Sequence, residues 1–119
     1  MDCTILKCDP TEVEGCWYLL TEGHLDAGPP LTAWENHVRK LISDGARWII
    51  FDAHRIRSFV DLGHGAMVVL SDRLRKAGGG AILLQLSKRE RTTFEMLKID
   101  AMFNFAETMD EALAIAHQG

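Results

Sequence analysis

The chain has no block of basic residues and no long apolar run, and each absence narrows what it can be. Its 13 Lys and Arg stand against 17 Asp and Glu, giving a net charge of −4 at neutral pH. A mildly acidic chain without a basic stripe is a poor partner for a nucleic-acid backbone, so no nucleic acid is expected. No segment reaches the ~20 consecutive apolar residues needed to cross a bilayer, so no membrane insertion is expected. The N-terminus also lacks the charged-then-apolar layout of a secretion signal, which makes the cytoplasm the expected location. Cysteine is scarce. Cys3, Cys8 and Cys16 are odd in number, too few for a disulfide scaffold and without the paired Cys-x-x-Cys of a zinc site, so reduced structural thiols are expected. Internal repeats, low-complexity tracts and linkers are missing too, which leaves a single domain over residues 1–119.

What the chain does have is apolar content, 47% of 119 residues, enough to bury roughly two-thirds of the unfolded surface in one core. The stretch from Trp48 to Leu86 is the organising unit. Trp48-Ile49-Ile50-Phe51 is a short apolar run bounded by Gly45 and by polar residues, as suits a strand covered on both faces. After a polar loop, Ala66, Met67, Leu70, Leu74 and Ala77 recur at helical spacing, and Arg73, Arg75 and Lys76 crowd the last turn before Gly78-Gly79-Gly80. Ala81 to Leu84 is a second apolar run. Two buried strands joined by such a helix pair in parallel through a right-handed crossover, with the loop from Asp61 to Gly65 at a sheet edge.

Upstream, Thr4 to Cys8 reads as an edge strand and Cys16 to Thr21 as its antiparallel neighbour, because the link from Asp9 to Gly15 is short. Gly28-Pro29-Pro30 ends the strand region, and a capping box at Thr32 and Glu35 opens a helix with Leu31, Trp34, Val38, Leu41 and Ile42 on one face. Downstream, Ser87 with Glu90 caps a third helix carrying Phe94, Leu97 and Ile99. Met102 to Phe105 is a short strand or an irregular link, and Thr108 with Glu111 caps a closing helix. The order β-β-α-β-α-β-α-β-α indicates an α/β fold, a mixed sheet of four to five strands with about four helices packed mainly on one face. Trp17, Trp34 and Trp48 take core-facing positions by pattern.

The loop between strand and helix is where function is expected. Gly63-His64-Gly65 at a helix start offers backbone N–H groups to an anion, so a small ligand or nucleotide is one reading, opposed by the charges of Asp26 and Asp61. His24, Asp26, Asp52, His54, Asp61 and His64 all lie near strand ends, where α/β sites form, and would have to converge to make a metal or catalytic centre. No spacing among them fixes a metal geometry. His54 and His64 read as solvated loop residues, and His37 and His117 as helix-surface ones. No catalytic residue, metal or cofactor is therefore expected. Arg55, Arg57, Arg73, Arg75 and Lys76 make a modest positive cluster.

Taken together, these segments resemble the STAS domains, whose best-known members are the anti-sigma factor antagonists. Gly23-His24-Leu25-Asp26 is similar to the family's Gly-x-Leu-Asp, Trp48 to Asp52 to its central strand, and Phe59-Val60-Asp61 to the start of its signature Ile-Asp-Ser-Ser-Gly-Leu-Gly. Leu97 to Phe103 and Asp110-Glu111-Ala112-Leu113 resemble the C-terminal tail. The departures are concentrated in the signature. Aligned on Asp61, the serine that a partner kinase phosphorylates falls at Gly63 and the preceding serine at Leu62, and the loop from Asp52 to Asp61 is one residue longer. The resemblance implies a SpoIIAA-like fold and a non-enzymatic switch module that binds an anti-sigma factor or kinase-like regulatory ATPase. Its implied partner-binding residues are Asp26, Ser58, Asp61, Leu62, Gly63, His64 and Gly65, together with the outer side of the following helix. The usual phosphosite is lost at Gly63, and Ser58 is the nearest remaining hydroxyl. A small-ligand sensor and a subunit docking on a lipid-transport ATPase are the alternatives under the same resemblance, and a homodimer stays open.

Overall fold

The structure is a computed structural model and describes residues 2–119. Strands β1 (Cys3–Pro10) and β2 (Cys16–Leu25) form the antiparallel pair, followed by α1 (Pro29–Ser43), β3 (Trp48–Asp52), β4 (Ile56–Phe59) and α2 (Asp61–Lys76). Then come β5 (Gly80–Leu84), α3 (Lys88–Met96), a 3-10 turn at Asp100–Met102, β6 (Asn104–Ala106) and α4 (Met109–Gln118). The sheet runs β1-β2-β3-β5-β6, and every neighbour pair after β1-β2 is parallel. The fold class read from the sequence is the one observed.

The sheet divides the core by strand parity. Ile49, Phe51, Ala81 and Leu83 face a cluster built with Leu31, Trp34 and Val38 of α1, Met67, Leu70 and Leu74 of α2, and Phe94 of α3. Ile50, Ile82 and Leu84 face the opposite way, onto Ala112 and Ala116 of α4. Three helices therefore cover one face and one covers the other. Period-2 alternation inside continuous apolar runs explains why β3 and β5 carry no polar face. Each of the large side chains so buried stabilises the fold by about 1.5–3 kcal/mol relative to exposure.

Four expectations need correction. β2 runs on to Leu25, beyond Thr21, and its far end pairs with β4, a strand hidden in what reads as a polar loop. Ile56-Arg57-Ser58-Phe59 is too short and too charged to announce itself. Helix α1 begins at Pro29, whose fixed φ suits a first helical position, and Thr32 donates its hydroxyl to the Gly28 carbonyl rather than capping. Helix α2 begins at Asp61, so the five residues read as a loop are its first turn. Trp34 is buried, with its indole N–H donating to Thr21 Oγ1 at 3.0 Å, whereas Trp17 and Trp48, at the starts of their strands, are only half-buried. The capping box at Thr108 forms as read, whereas at Ser87 only half of it does: the Ser87 hydroxyl accepts from the Glu90 amide, but the Glu90 carboxylate accepts from the Phe59 amide instead of closing the box.

Candidate functional site

The register of β2 with β4 assembles the site. His24 lies opposite Ser58 and Leu25 opposite Phe59, so the chain leaves both strands side by side, at Asp26 and at Val60. Val60 is extended and donates its N–H to the Leu25 carbonyl at 3.0 Å, after which α2 begins. Gly63 packs against that same carbonyl. A Cβ placed at 63 would overlap the Leu25 oxygen, so the position admits no side chain. This close approach, with an ordinary helical backbone, is what the glycine supplies.

Helical rotation then sorts the candidate residues. Asp61, Leu62 and Gly65 are exposed, with Leu62 62% exposed, and Asp61 sits in the first turn, where a carboxylate complements the helix dipole. Val69, two turns beyond Leu62, is also exposed, and Val60 joins them as an exposed apolar residue. His64 is turned inward. It lies 5.6 Å from the Phe59 ring and 5.2 Å from the Phe94 ring, between centroids, and neither ring nitrogen finds a hydrogen-bond partner among the described residues. Burial pushes the imidazole pKa below its usual value, and Glu90 and Asp61 pull it only partly back. The solvated loop histidine read at this position is thus a buried helical one.

Asp26 is half-buried, with its carboxylate accepting from the Ala27 amide at 2.7 Å. Ser58 is likewise half-buried on β4, its hydroxyl 2.7 Å from His24 Nδ1, rather than free in a loop. The amides of Gly63 and His64 both turn onto the Val60 carbonyl, so this glycine pair does not offer them to an anion. The six acidic and histidine residues near strand ends do not meet at one point. Among the described residues, no group of three or more His, Cys, Asp or Glu side chains is placed to hold a metal ion. Arg55 pairs with Glu22 at 3.2 Å and Lys76 with Asp72 at 2.9 Å, which neutralises part of the positive cluster.

A second polar constellation forms on the other face. The Tyr18 hydroxyl donates to Asp52 Oδ2 at 2.5 Å, and His54 Nδ1 lies 2.6 Å from Asp52 Oδ1, which also accepts from the His54 amide at 3.2 Å. Burial and the neighbouring carboxylate push the Tyr18 pKa well above its usual value. Asp52 and His54 were candidates by sequence, but Tyr18 was not. It lies 34 residues from Asp52 and meets it only through the parallel register of β2 and β3.

This order of strands and placement of helices are those of the STAS-domain fold. The anti-sigma factor antagonist of Mycobacterium paratuberculosis matches the chain with a TM-score of 0.80 at 17% identity, over 97% of this chain and 94% of that one. The Bacillus cell-fate determinant SpoIIAA, in its phosphorylated form, matches with a TM-score of 0.71 at 20% identity, over 93% and 97% of the two chains. A sulfate transporter family protein from Wolinella succinogenes matches with a TM-score of 0.69 at 16% identity, over 94% and 90%. In sequence, no family model and no curated protein matches the chain.

Proposed function

We propose that the chain is a non-enzymatic regulatory module that works by protein–protein contact, as an anti-sigma factor antagonist does, and that it docks on a kinase-like anti-sigma factor through the first turn and outer face of α2. The observation that supports this reading most is Leu62, a large apolar side chain 62% exposed at the start of α2, with the bare Gly65 beside it and Val69 two turns on along the same helix. An apolar anchor on a low-profile backbone suits insertion into a partner's groove.

The same geometry supports a different registration of the signature. Set one residue further along, Gly63-His64-Gly65 takes the place of Gly-Leu-Gly, with the buried His64 in the role of the leucine. Leu62 then takes the place of the second serine. On this reading too the phosphoacceptor hydroxyl is missing, now by substitution at Leu62, and Gly63 keeps the family's glycine. Partner binding is then independent of phosphate at this turn, since no hydroxyl is present to receive the added charge. Asp26, Asp61 and Ser58 form the polar rim.

The test is capture from native-host lysate with wild type, Leu62→Glu and Asp61→Lys side by side, read by mass spectrometry. Enrichment of a histidine-kinase-like ATPase by the wild type alone supports the reading. Equal capture of that ATPase by Leu62→Glu removes the α2 turn as its interface, and capture of transporter subunits alone removes the sigma-factor pathway.

A further inference from the structure

Tyr18 and Asp52 of the Tyr18–Asp52–His54 network line an open cleft of about 470 Å³, within the usual size for small-molecule sites. It lies on the face covered by α4, at the carboxyl ends of β3 and β5, where open parallel sheets bind ligands. Its walls are Leu84, Met109 and the ring of Tyr18, and Lys7 and Asp9 of β1 complete it. Gln85, also lining it, holds a positive φ of 56°, a conformation that costs a non-glycine residue energy and that clusters at functional positions. Two bonds hold it there, from its amide to the Ala106 carbonyl at 2.9 Å and from Nε2 to the Glu107 carbonyl at 3.3 Å.

The polar groups facing the cleft are chiefly acceptors. The Tyr18 proton is spent on Asp52, so the phenol has only oxygen lone pairs left to offer a ligand. Asp52 accepts three hydrogen bonds, leaving one of its roughly four lone-pair sites, and it is 6% exposed with no Lys or Arg within ion-pair distance among the described residues. Lys7 and Asp9 lie 3.8 Å apart, and Asp52, whose one cationic-type neighbour among the described residues is the His54 imidazole, presents a carboxylate beside apolar walls. A group that donates hydrogen bonds and carries positive charge is what the Tyr18 and Asp52 oxygens stabilise, and an anion there would face the Asp52 carboxylate.

We infer that this cleft is a second binding site, separate from the α2 turn, for a small organic cation: an ammonium or amidinium on a flat apolar body, anchored by Asp52 and Tyr18. Benzamidine is the probe and benzoate, of nearly the same shape and opposite charge, the control. In ¹H–¹⁵N spectra, benzamidine shifts the Tyr18, Asp52 and Gln85 amides saturably at millimolar concentration, and benzoate leaves them in place. Asp52→Asn weakens binding about tenfold or more, and Tyr18→Phe, which keeps the ring, weakens it about threefold. Equal shifts from benzoate, shifts confined to other residues, or undiminished binding by both variants overturns the inference. Should Asp52→Asn fail to fold, Tyr18→Phe and the benzoate control decide the matter.

Discussion

Gly63 rests on the carbonyl of Leu25 so closely that any side chain at position 63 would collide with it. That contact, with the Val60 amide bonded to the same oxygen, fixes the start of α2 to the end of β2. Gly63→Ser should therefore destabilise the fold by about 2–3 kcal/mol, as overpacking against backbone does, measured by urea denaturation. Leu62→Ser, at an exposed position, should stay within about 0.5 kcal/mol of wild type. If both variants are equally stable, position 62 has no better claim than position 63 to the serine's place.

His64 places two unsatisfied ring nitrogens among Phe59 and Phe94. His64→Leu should stabilise the protein by about 1–2 kcal/mol, the usual cost of buried polar atoms left without partners. The sign of the pH dependence follows from the lowered pKa. The unfolded histidine takes up a proton near pH 6.5 while the folded one resists it, so stability is full above that pH and is lost as the pH falls toward the folded value. The gain from His64→Leu should grow between about pH 7 and pH 5, as thermal melts across that range would show.

Thr21 accepts the only hydrogen bond found for the Trp34 indole among the described residues. Thr21→Val leaves that N–H buried and unpaired, at a cost of about 1–3 kcal/mol. Thr21→Ser should restore most of the loss. Denaturation followed by Trp fluorescence measures both; equal stability of all three forms would show that the indole finds another partner.

Thr108 and Glu111 close a reciprocal cap on α4, with the Glu111 amide on the Thr108 hydroxyl at 3.2 Å and the Thr108 amide on the Glu111 carboxylate at 3.1 Å. Thr108→Ala should cost about 1 kcal/mol, and fraying should appear as faster amide exchange in the first turn of α4.

Much of this architecture was legible because apolar runs and capping residues are local signals. Ile49 to Phe51 and Ala81 to Leu84 declare two buried strands, and Ser87 and Thr108 declare two helix starts. What stayed hidden depends on partners distant in sequence. β4 exists because β2 is long enough to receive it, and nothing in Arg57-Ser58 says so. His64 reads as polar and solvated until helical rotation, set by Gly63 against Leu25, turns it inward. Asp61 and Leu62 read as loop residues but belong to a helix, whose rotation leaves both side chains exposed. Tyr18 gave no sign of its bond to Asp52, since pairing across two parallel strands leaves no spacing to read.

β2 receives two different strands along one edge, β3 beside Cys16 to Leu20 and β4 beside Gly23 to Leu25, and the chain crosses between them over Ala53, His54 and Arg55. That crossing works as a spacer that sets phase. Inserting one residue would send the Ser58 side chain toward the core and Phe59 toward solvent, because strand side chains alternate. The seat of Gly63 would be lost with them, while Tyr18 and Asp52, upstream of the change, would keep their pairing. The length of a three-residue bridge thus governs whether the start of α2 is set correctly, and the two faces of the sheet can be altered one at a time.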